Sequence, residues 1–502
     1  MNMMVSIIVN EFIIRLVSHF IQTYQKHTRV DEKIRKLQYL LLRIHAVVEE
    51  AEGRDITNQH IQQQLRRFLG GLYRGYYMLD TFRCRYMNTT DKVNNSFTCA
   101  SLFNPAKRIR MIADNAKLIA SGDSHCLQSV LEALESIVAD MQEFCMLLSC
   151  YPRRPRQIYS TYIQIQKCLF CRQMEKEQII NFLLQAELPR ADNLNICVLP
   201  IVGRPGIGKR TLVENVFRDE RVCKYFSHII DLDGDDLENG LLSTERVRHG
   251  TAHNYKFQSS RSLLVVEFAS EVDMNSWRRL YSYACKCMEK GSKIILVSTL
   301  EEVANLGTVD PIRLNPVSEE AYWYFFKALA FGSANPDEHP QLVCIAMEIA
   351  KLLQRGFIGA NLYGAVLRAN VNLHFWSRVL TIAKELILNG RFYFWILKGH
   401  KKRSSSSSST RGRYLVEATV TCRAFDFDTT CSPPRASCAA KKSSTVDTNN
   451  QHKPTFSDIL HSRTVVIPPR KEFDVVVWNS SLPPYSNYVA TCVRNTKPKS
   501  RQ

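Results

Sequence analysis

An α/β domain with a parallel sheet and flanking helices, preceded by an all-α four-helix bundle and followed by a small helical subdomain and a partly disordered tail, is the architecture this 502-residue sequence predicts. Three observations predict it. Residues 196–213, Ile-Cys-Val-Leu-Pro-Ile-Val-Gly-Arg-Pro-Gly-Ile-Gly-Lys-Arg-Thr-Leu-Val, read as a buried strand, a glycine-punctuated loop and the start of a helix. Residues 263–268, Leu-Leu-Val-Val-Glu-Phe, are a second apolar run, broken by a carboxylate. Before residue 150, apolar side chains recur at helical spacing in four segments separated by polar stretches.

Those four segments come first in the chain. Residues 4–25 align Val5, Ile8, Phe12, Leu16, Val17 and Phe20 near one stripe, and a second stripe runs from Ile34 through Leu41 and Ile44 to Val48, ending near Gly53. A third starts about Asn58 and carries Ile61, Leu65, Phe68, Leu69 and Leu72 to Phe82; a fourth spans roughly Leu127–Leu148. Asn88–Thr98 reads as a polar loop between them. Such stripes build the core of an antiparallel bundle and by themselves say nothing about function. Met1–Phe20 is apolar but carries Asn10, Glu11 and Arg15, and it lacks a basic start and a small-residue cleavage site, so it is read as neither signal peptide nor membrane span.

The spacing G-x-x-x-x-G-K over Gly203–Lys209 is that of a phosphate-binding P-loop, and with its strand and helix it predicts a P-loop NTPase-like domain. Gly203, Gly206 and Gly208 allow the backbone bend that turns successive N–H groups toward an anion, and the helix beginning at Lys209 presents its positive end there. Lys209 would reach the terminal phosphates, and Ile207, Arg210, Thr211 and Leu212 complete the candidate loop. The residue after the lysine, where Ser or Thr would serve Mg²⁺, is Arg210. Thr211 stands one residue late and about 100° around the helix. Glu267, at the end of the second apolar run, faces the ligand crevice of an open parallel sheet and is the candidate metal acid; a strand-end acid beside a helix start is the plainer reading of it.

Composition sets further bounds. Lys plus Arg exceed Asp plus Glu by 66 to 48, and residues 401–502 hold seventeen basic and seven acidic residues, so +10 of the +18 lies in the last fifth. A basic tail meets RNA, anionic lipid or acidic protein, or is only solvated. The sixteen cysteines include Cys168–Cys171 and Cys285–Cys287, but no second pair or histidine completes a zinc set, which fits reduced thiols in a cytosolic chain. Ser404–Ser409, flanked by lysines and arginines, reads as a flexible linker or phosphosite cluster; Tyr414–Val420 and Phe473–Trp478 alternate like strands, and Pro433–Gln451 reads as disordered.

Ile44-His-Ala-Val-Val-Glu-Glu-Ala-Glu-Gly-Arg54 resembles the second helix of the coiled-coil (Rx-type) N-terminal domain of plant NLR immune receptors. Leu72–Asp80 occupies the place of that domain's acidic "EDVID" patch, with Asp80 retained as the candidate interaction residue and Tyr76 and Tyr77 in place of the first two acids. Asn104–Arg108 looks like the loop before that domain's last helix. Phe170-Cys-Arg-Gln-Met-Glu175 resembles the "GR-x-x-E" opening of an NB-ARC nucleotide-binding domain, with Cys171 for the glycine. Leu263–Phe268 resembles "LLVLDD", with Glu267 and Phe268 for the two acids, and Gly291–Thr299 resembles "GSKIIVTTR", with Thr299 for the sensor arginine. Ile312–Phe326 looks like the start of the first helical ARC subdomain, where Ser318 is the expected N-cap, and Gly356–Ala360 stands for "GLPLA" without its proline. Winged-helix, "MHD" and leucine-rich-repeat motifs find no counterpart, and the end of the chain is similar to a tail on some grass NB-ARC proteins.

The resemblance implies residues 1–150 as an Rx-type bundle, 151–166 as linker, 167–310 as the nucleotide-binding domain, 311–398 as an ARC-like subdomain, 399–412 as a Ser-rich linker and 413–502 as an irregular tail. It implies ADP or ATP as ligand and Glu267 as the residue for Mg²⁺, whereas the hydroxyl, second acid and arginine that hydrolysis needs are replaced. The expected role is a degenerate, non-hydrolysing adaptor, decoy or partner of full-length receptors in plant defence signalling. Its partners are other NLR-type or signalling proteins, met through residues 1–150, with no specific nucleic acid. It is expected in the cytoplasm, with the plasma-membrane surface and the nucleus as further places. An active P-loop NTPase switch, a basic nucleic-acid-binding protein and a purely structural interaction protein are the alternatives.

Overall fold

Leu37, Leu41, Ile44 and Val48 follow each other at three- and four-residue steps, and the chain coils into helix α1 (32–52) with all four buried. The computed structural model describes residues 32–54, 56, 58–99, 105–153, 169–185, 196–233, 246–249, 261–268, 273–388, 420–421, 429–431, 435–438, 472–482 and 486–494. These fall into two units, one of residues 1–159 with 318–327 and 335–347, the other of 160–317, 328–334 and 348–502.

In the first unit α1 packs with α2 (Gln59–Cys99) and α3 (Pro105–Leu148). Phe68 and Phe144 meet edge to face, ring centroids 4.8 Å apart, amid Leu72, Leu131 and Leu134. Arg54 fastens the end of α3: Nη1 donates to the carbonyls of Leu148 (3.1 Å) and Tyr151 (2.7 Å), and Nη2 reaches Glu50 (2.8 Å). A cation there answers the unpaired carbonyls and negative pole of a helix C-terminus. Two expectations are corrected. The polar stretch Asn88–Thr98 is helical, because α2 continues to Cys99, and the last helix begins at Pro105, so that Pro105–Arg108 open a helix. Asn and Thr cost a helix only a fraction of a kcal/mol each, roughly 0.7 at most, and propagation of a helix already nucleated absorbs it. Proline suits a first helical position because its missing N–H would have no partner there. The segment 4–25 lies outside the described residues.

The second unit is built on a six-stranded sheet of β1 (Cys197–Gly203), β2 (His228–Asp233), β3 (Arg246–His249), β4 (Ser262–Phe268), β5 (Lys293–Ser298) and β6 (Ile312–Leu314), in the order β3-β2-β4-β5-β1-β6. Only β3 is antiparallel; the other five run parallel. Alternate residues feed two cores. Leu199, Ile201, Leu263, Val265, Ile295 and Val297 pack with α4 (Gln173–Leu184), α5 (Lys209–Phe217) and α6 (Glu220–Tyr225). Val198, Val202, Leu264, Val266, Phe268, Ile294 and Leu296 pack with Trp277 and Leu280 of α7 (Met274–Cys287). Covering both faces is why these strands read as unbroken apolar runs.

Four further helices follow: α8 (Glu319–Phe331), α9 (Pro340–Leu352), α10 (Phe357–Ala369) and α11 (Leu373–Leu388). Ser318 caps α8, its Oγ accepting from the N–H of Ala321 at 3.2 Å. In the tail, β7 (Val420–Thr421), β8 (Thr429–Cys431), β9 (Arg435–Cys438), β10 (Glu472–Asn479) and β11 (Ser486–Arg494) form an antiparallel sheet in which β11 pairs with three neighbours. The expected strand at Phe473–Trp478 is β10. Within Pro433–Gln451, Arg435–Cys438 is a strand, because β11 offers it a complementary edge. The rest of that stretch, the serine run Ser404–Ser409 and residues 154–166 of the expected linker lie outside the described residues.

Candidate functional site

The glycine loop leaves the C-terminal end of β1, which lies between β5 and β6. Gly203 can only be glycine, since a Cβ would stand 2.7 Å from the carbonyl oxygen of Leu314. Gly206 (φ 77°) and Gly208 (φ 87°) are left-handed, and Gly208 caps α5 without a side-chain bond, leaving the helix's first N–H groups to the loop. Lys209 folds back over this loop, Nζ donating to the carbonyls of Gly203 (2.6 Å) and Arg204 (3.0 Å). Burial pushes the Lys209 ammonium down to about 8, while the charge of Glu267 pulls the other way. The N–H of Phe357, first residue of α10, donates to the carbonyl of Gly206 at 2.9 Å. The Gly356–Ala360 segment that resembles "GLPLA" therefore meets the P-loop.

Glu267 lies on the face of the sheet shared by Leu263 and Val265, the face that α5 covers. Arg210, second residue of α5, reaches it: Nη1 is 3.0 Å from Glu267 Oε2, and Nη2 is 3.7 Å from Asp231 Oδ2. Phe268 turns to the other face and is buried against Trp277, ring centroids 6.4 Å apart. Thr299 is exposed just beyond β5. Of the other candidates, Ile207 and Leu212 are core residues, 3% and 0% exposed, so neither offers a side chain to a ligand, and the N–H of Leu212 is spent on Gly208. Thr211 is half-buried. Mg²⁺, which a P-loop site of this class ordinarily takes, does not fit these residues. A guanidinium stands where the metal's hydroxyl ligand belongs and already holds the carboxylate near the end of β4. Among the described residues no cluster of three His, Cys, Asp or Glu is able to hold a metal ion.

At the opening of this unit Cys171 sits at φ 54°, the backbone for which glycine is suited. It leads into Arg172, whose guanidinium is held by Glu175 (3.1 Å) and the carbonyl of Asn315 (2.7 Å).

Asp80 is elsewhere, in the first unit, and is fully buried. Its Oδ2 accepts from Lys327 Nζ at 2.7 Å and from Trp323 Nε1 at 2.9 Å, both on α8. Tyr77 donates to Glu319 at 2.6 Å, so a second acid at position 77 would have faced a carboxylate. Tyr73 and Tyr76 lie against Tyr324, centroids 4.8 and 5.9 Å away, and Arg83 pairs with Asp337. Sequence reasoning singled out Asp80 and the Gly356–Ala360 segment but gave no role to Lys327, Trp323 or Asp231. The paired tyrosines in an otherwise acidic motif were the available signal for a changed surface opposite.

A parallel sheet with this loop, a lysine at the head of the next helix and an acid on β4, one strand removed from β1, define a P-loop NTPase-like domain. Residues 8–103 match the family model of the Rx N-terminal domain. Disease resistance protein RGA2 of Solanum bulbocastanum is 23% identical over 365 residues, which is 69% of this chain and 36% of that protein. Putative disease resistance protein RGA4 of the same species is 26% identical over 275 residues, 50% of this chain and 27% of its own. Putative disease resistance RPP13-like protein 1 of Arabidopsis thaliana is 23% identical over 394 residues, 73% and 36%. The chain thus carries a segment that matches the Rx N-terminal domain and is similar to plant disease resistance proteins of the NLR type, and it spans about a third of the length of most of these relatives. Among solved structures, domain III of the Thermotoga maritima replication initiation protein DnaA matches with 12% identity over 47% of this chain and 93% of its own, at a TM-score of 0.24, too low to bear on function. No described helix is long and apolar enough to cross a membrane.

Proposed function

We propose that this chain is a nucleotide-binding, non-hydrolysing component of plant defence signalling, an adaptor, decoy or partner of full-length NLR receptors that acts in the cytoplasm through its N-terminal helices. One observation carries the reading: the phosphate loop keeps its glycines, its left-handed turns and Lys209, while the place of the second acid at the end of β4 is taken by Phe268, buried in the core. ADP needs the loop, the lysine and the helix terminus; hydrolysis needs also a placed water and compensated charge at the leaving phosphate. Residues 1–150, 151–166, 167–310, 311–398, 399–412 and 413–502 remain our proposed division into bundle, linker, nucleotide domain, ARC-like subdomain, Ser-rich linker and tail.

The test is nucleotide content and turnover of the purified chain beside Lys209→Ala. ADP co-purifying with the wild type and lost from the variant, without phosphate release from ATP, is the expected result. Mg²⁺-dependent turnover abolished by Lys209→Ala would make the protein an active NTPase switch instead. Absence of binding at millimolar nucleotide would leave the loop as structure alone.

A further inference from the structure

The disagreement between Arg210 and a metal site has a consequence for the form of ligand the loop takes. In a P-loop that uses Mg²⁺, the residue after the lysine supplies a hydroxyl to the ion, and a strand-end acid holds it directly or through water. Here both positions are bound to each other at 3.0 Å, with Asp231 a second carboxylate at 3.7 Å from the same guanidinium. A divalent cation would have to displace a fixed cation from its own carboxylate and then stand beside it. Lys209 and Arg210 answer Glu267 and Asp231, and the loop residue Arg204 adds a further cation.

We infer that the loop binds nucleoside diphosphate free of metal, with Arg210 supplying the countercharge that Mg²⁺ supplies elsewhere. The inference rests on the nucleotide reading above. Arg210 is adjacent in sequence to Lys209 and stands in the first turn of the same helix, so its charge is fixed where phosphate oxygens approach. The Arg210 side chain is 36% exposed and Glu267 37%, so the pair is open to solvent and to an entering anion. A guanidinium carries five N–H donors, and the close contact with Glu267 is made through Nη1, which leaves donors for phosphate oxygens. Magnesium in solution then weakens binding, because it withdraws free nucleotide and offers a complex the site does not accommodate.

The experiment is calorimetric titration of the full chain with ADP in excess EDTA and in excess magnesium, repeated with Arg210→Ser. The wild type is expected to bind in EDTA and to gain nothing from magnesium. Arg210→Ser is expected to lose roughly tenfold to a hundredfold in EDTA, the worth of one charged hydrogen-bonding partner, and to recover affinity with magnesium. A wild type that binds only with magnesium overturns the inference and leaves the nucleotide reading standing. Equal affinity of wild type and Arg210→Ser in EDTA also overturns it. No binding in either condition removes both. The EDTA–magnesium comparison on the wild type decides the matter even if the serine variant fails to fold.

Discussion

Replacing Lys327 by methionine removes the cation that holds a buried carboxylate. Asp80 is 0% exposed, and the two donors to its Oδ2 are Lys327 Nζ at 2.7 Å and Trp323 Nε1 at 2.9 Å. Its Oδ1 has no hydrogen-bond partner among the described residues. Lys327→Met leaves this carboxylate with one neutral donor in an apolar setting. Breaking a buried pair from one side costs about 3–5 kcal/mol, and because the lysine is itself 17% exposed the lower end applies, about 3. Removing both partners, in Asp80→Leu with Lys327→Met, leaves only the Trp323 N–H unpaired, at about 1–3 kcal/mol, so the double variant is expected to be less damaged than the sum of its singles. Urea midpoints report the global effect. Amide hydrogen exchange over residues 73–84 and 319–331 reports the local one, with both segments losing protection together in Lys327→Met. A cost below about 1 kcal/mol for Lys327→Met, or simple additivity in the cycle, would refute the reasoning.

Two more expectations rest on single residues. Cys171→Gly, at φ 54°, relieves a left-handed backbone and is expected to raise stability by about 1 kcal/mol, read as a higher urea midpoint with unchanged slope. Burial pushes the Lys209 ammonium down to about 8 from the ordinary 10.5 of a solvated lysine, so between those values the native state has released a proton that the unfolded chain still holds. Its destabilising burial is therefore present in full below pH 8 and fades toward pH 10.5, and the wild type should gain about 3 kcal/mol on Lys209→Met across that window, measured by paired denaturation curves.

Much of the fold was legible because periodicity reports burial. Residues 198–202 and 263–266 are apolar without alternation because helices cover both faces of the sheet, and Leu37 to Val48 repeat at helical spacing because one side of α1 is buried. The run Asn88–Thr98 misled for the same reason: a polar stretch lacks a burial signal whether its backbone is loop or helix. The left-handed glycines, too, are local, since the turn requires them whatever lies around it.

What the sequence by itself determined, then, is the parallel sheet, the loop at the end of β1 and the residue types at Arg210, Glu267 and Phe268, all properties of residues near one another in the chain. Tertiary structure alone decided the partners. Arg210 and Glu267 are 57 residues apart and meet because β4 lies across β5 from β1, with α5 over that face of the sheet. Asp80 meets Trp323 and Lys327 across more than 240 residues, turning a residue of an acidic surface motif into a buried anchor. Ion pairs and buried hydrogen bonds depend on distances of about 3 Å, and no pattern along a chain encodes a distance between segments that only folding brings together.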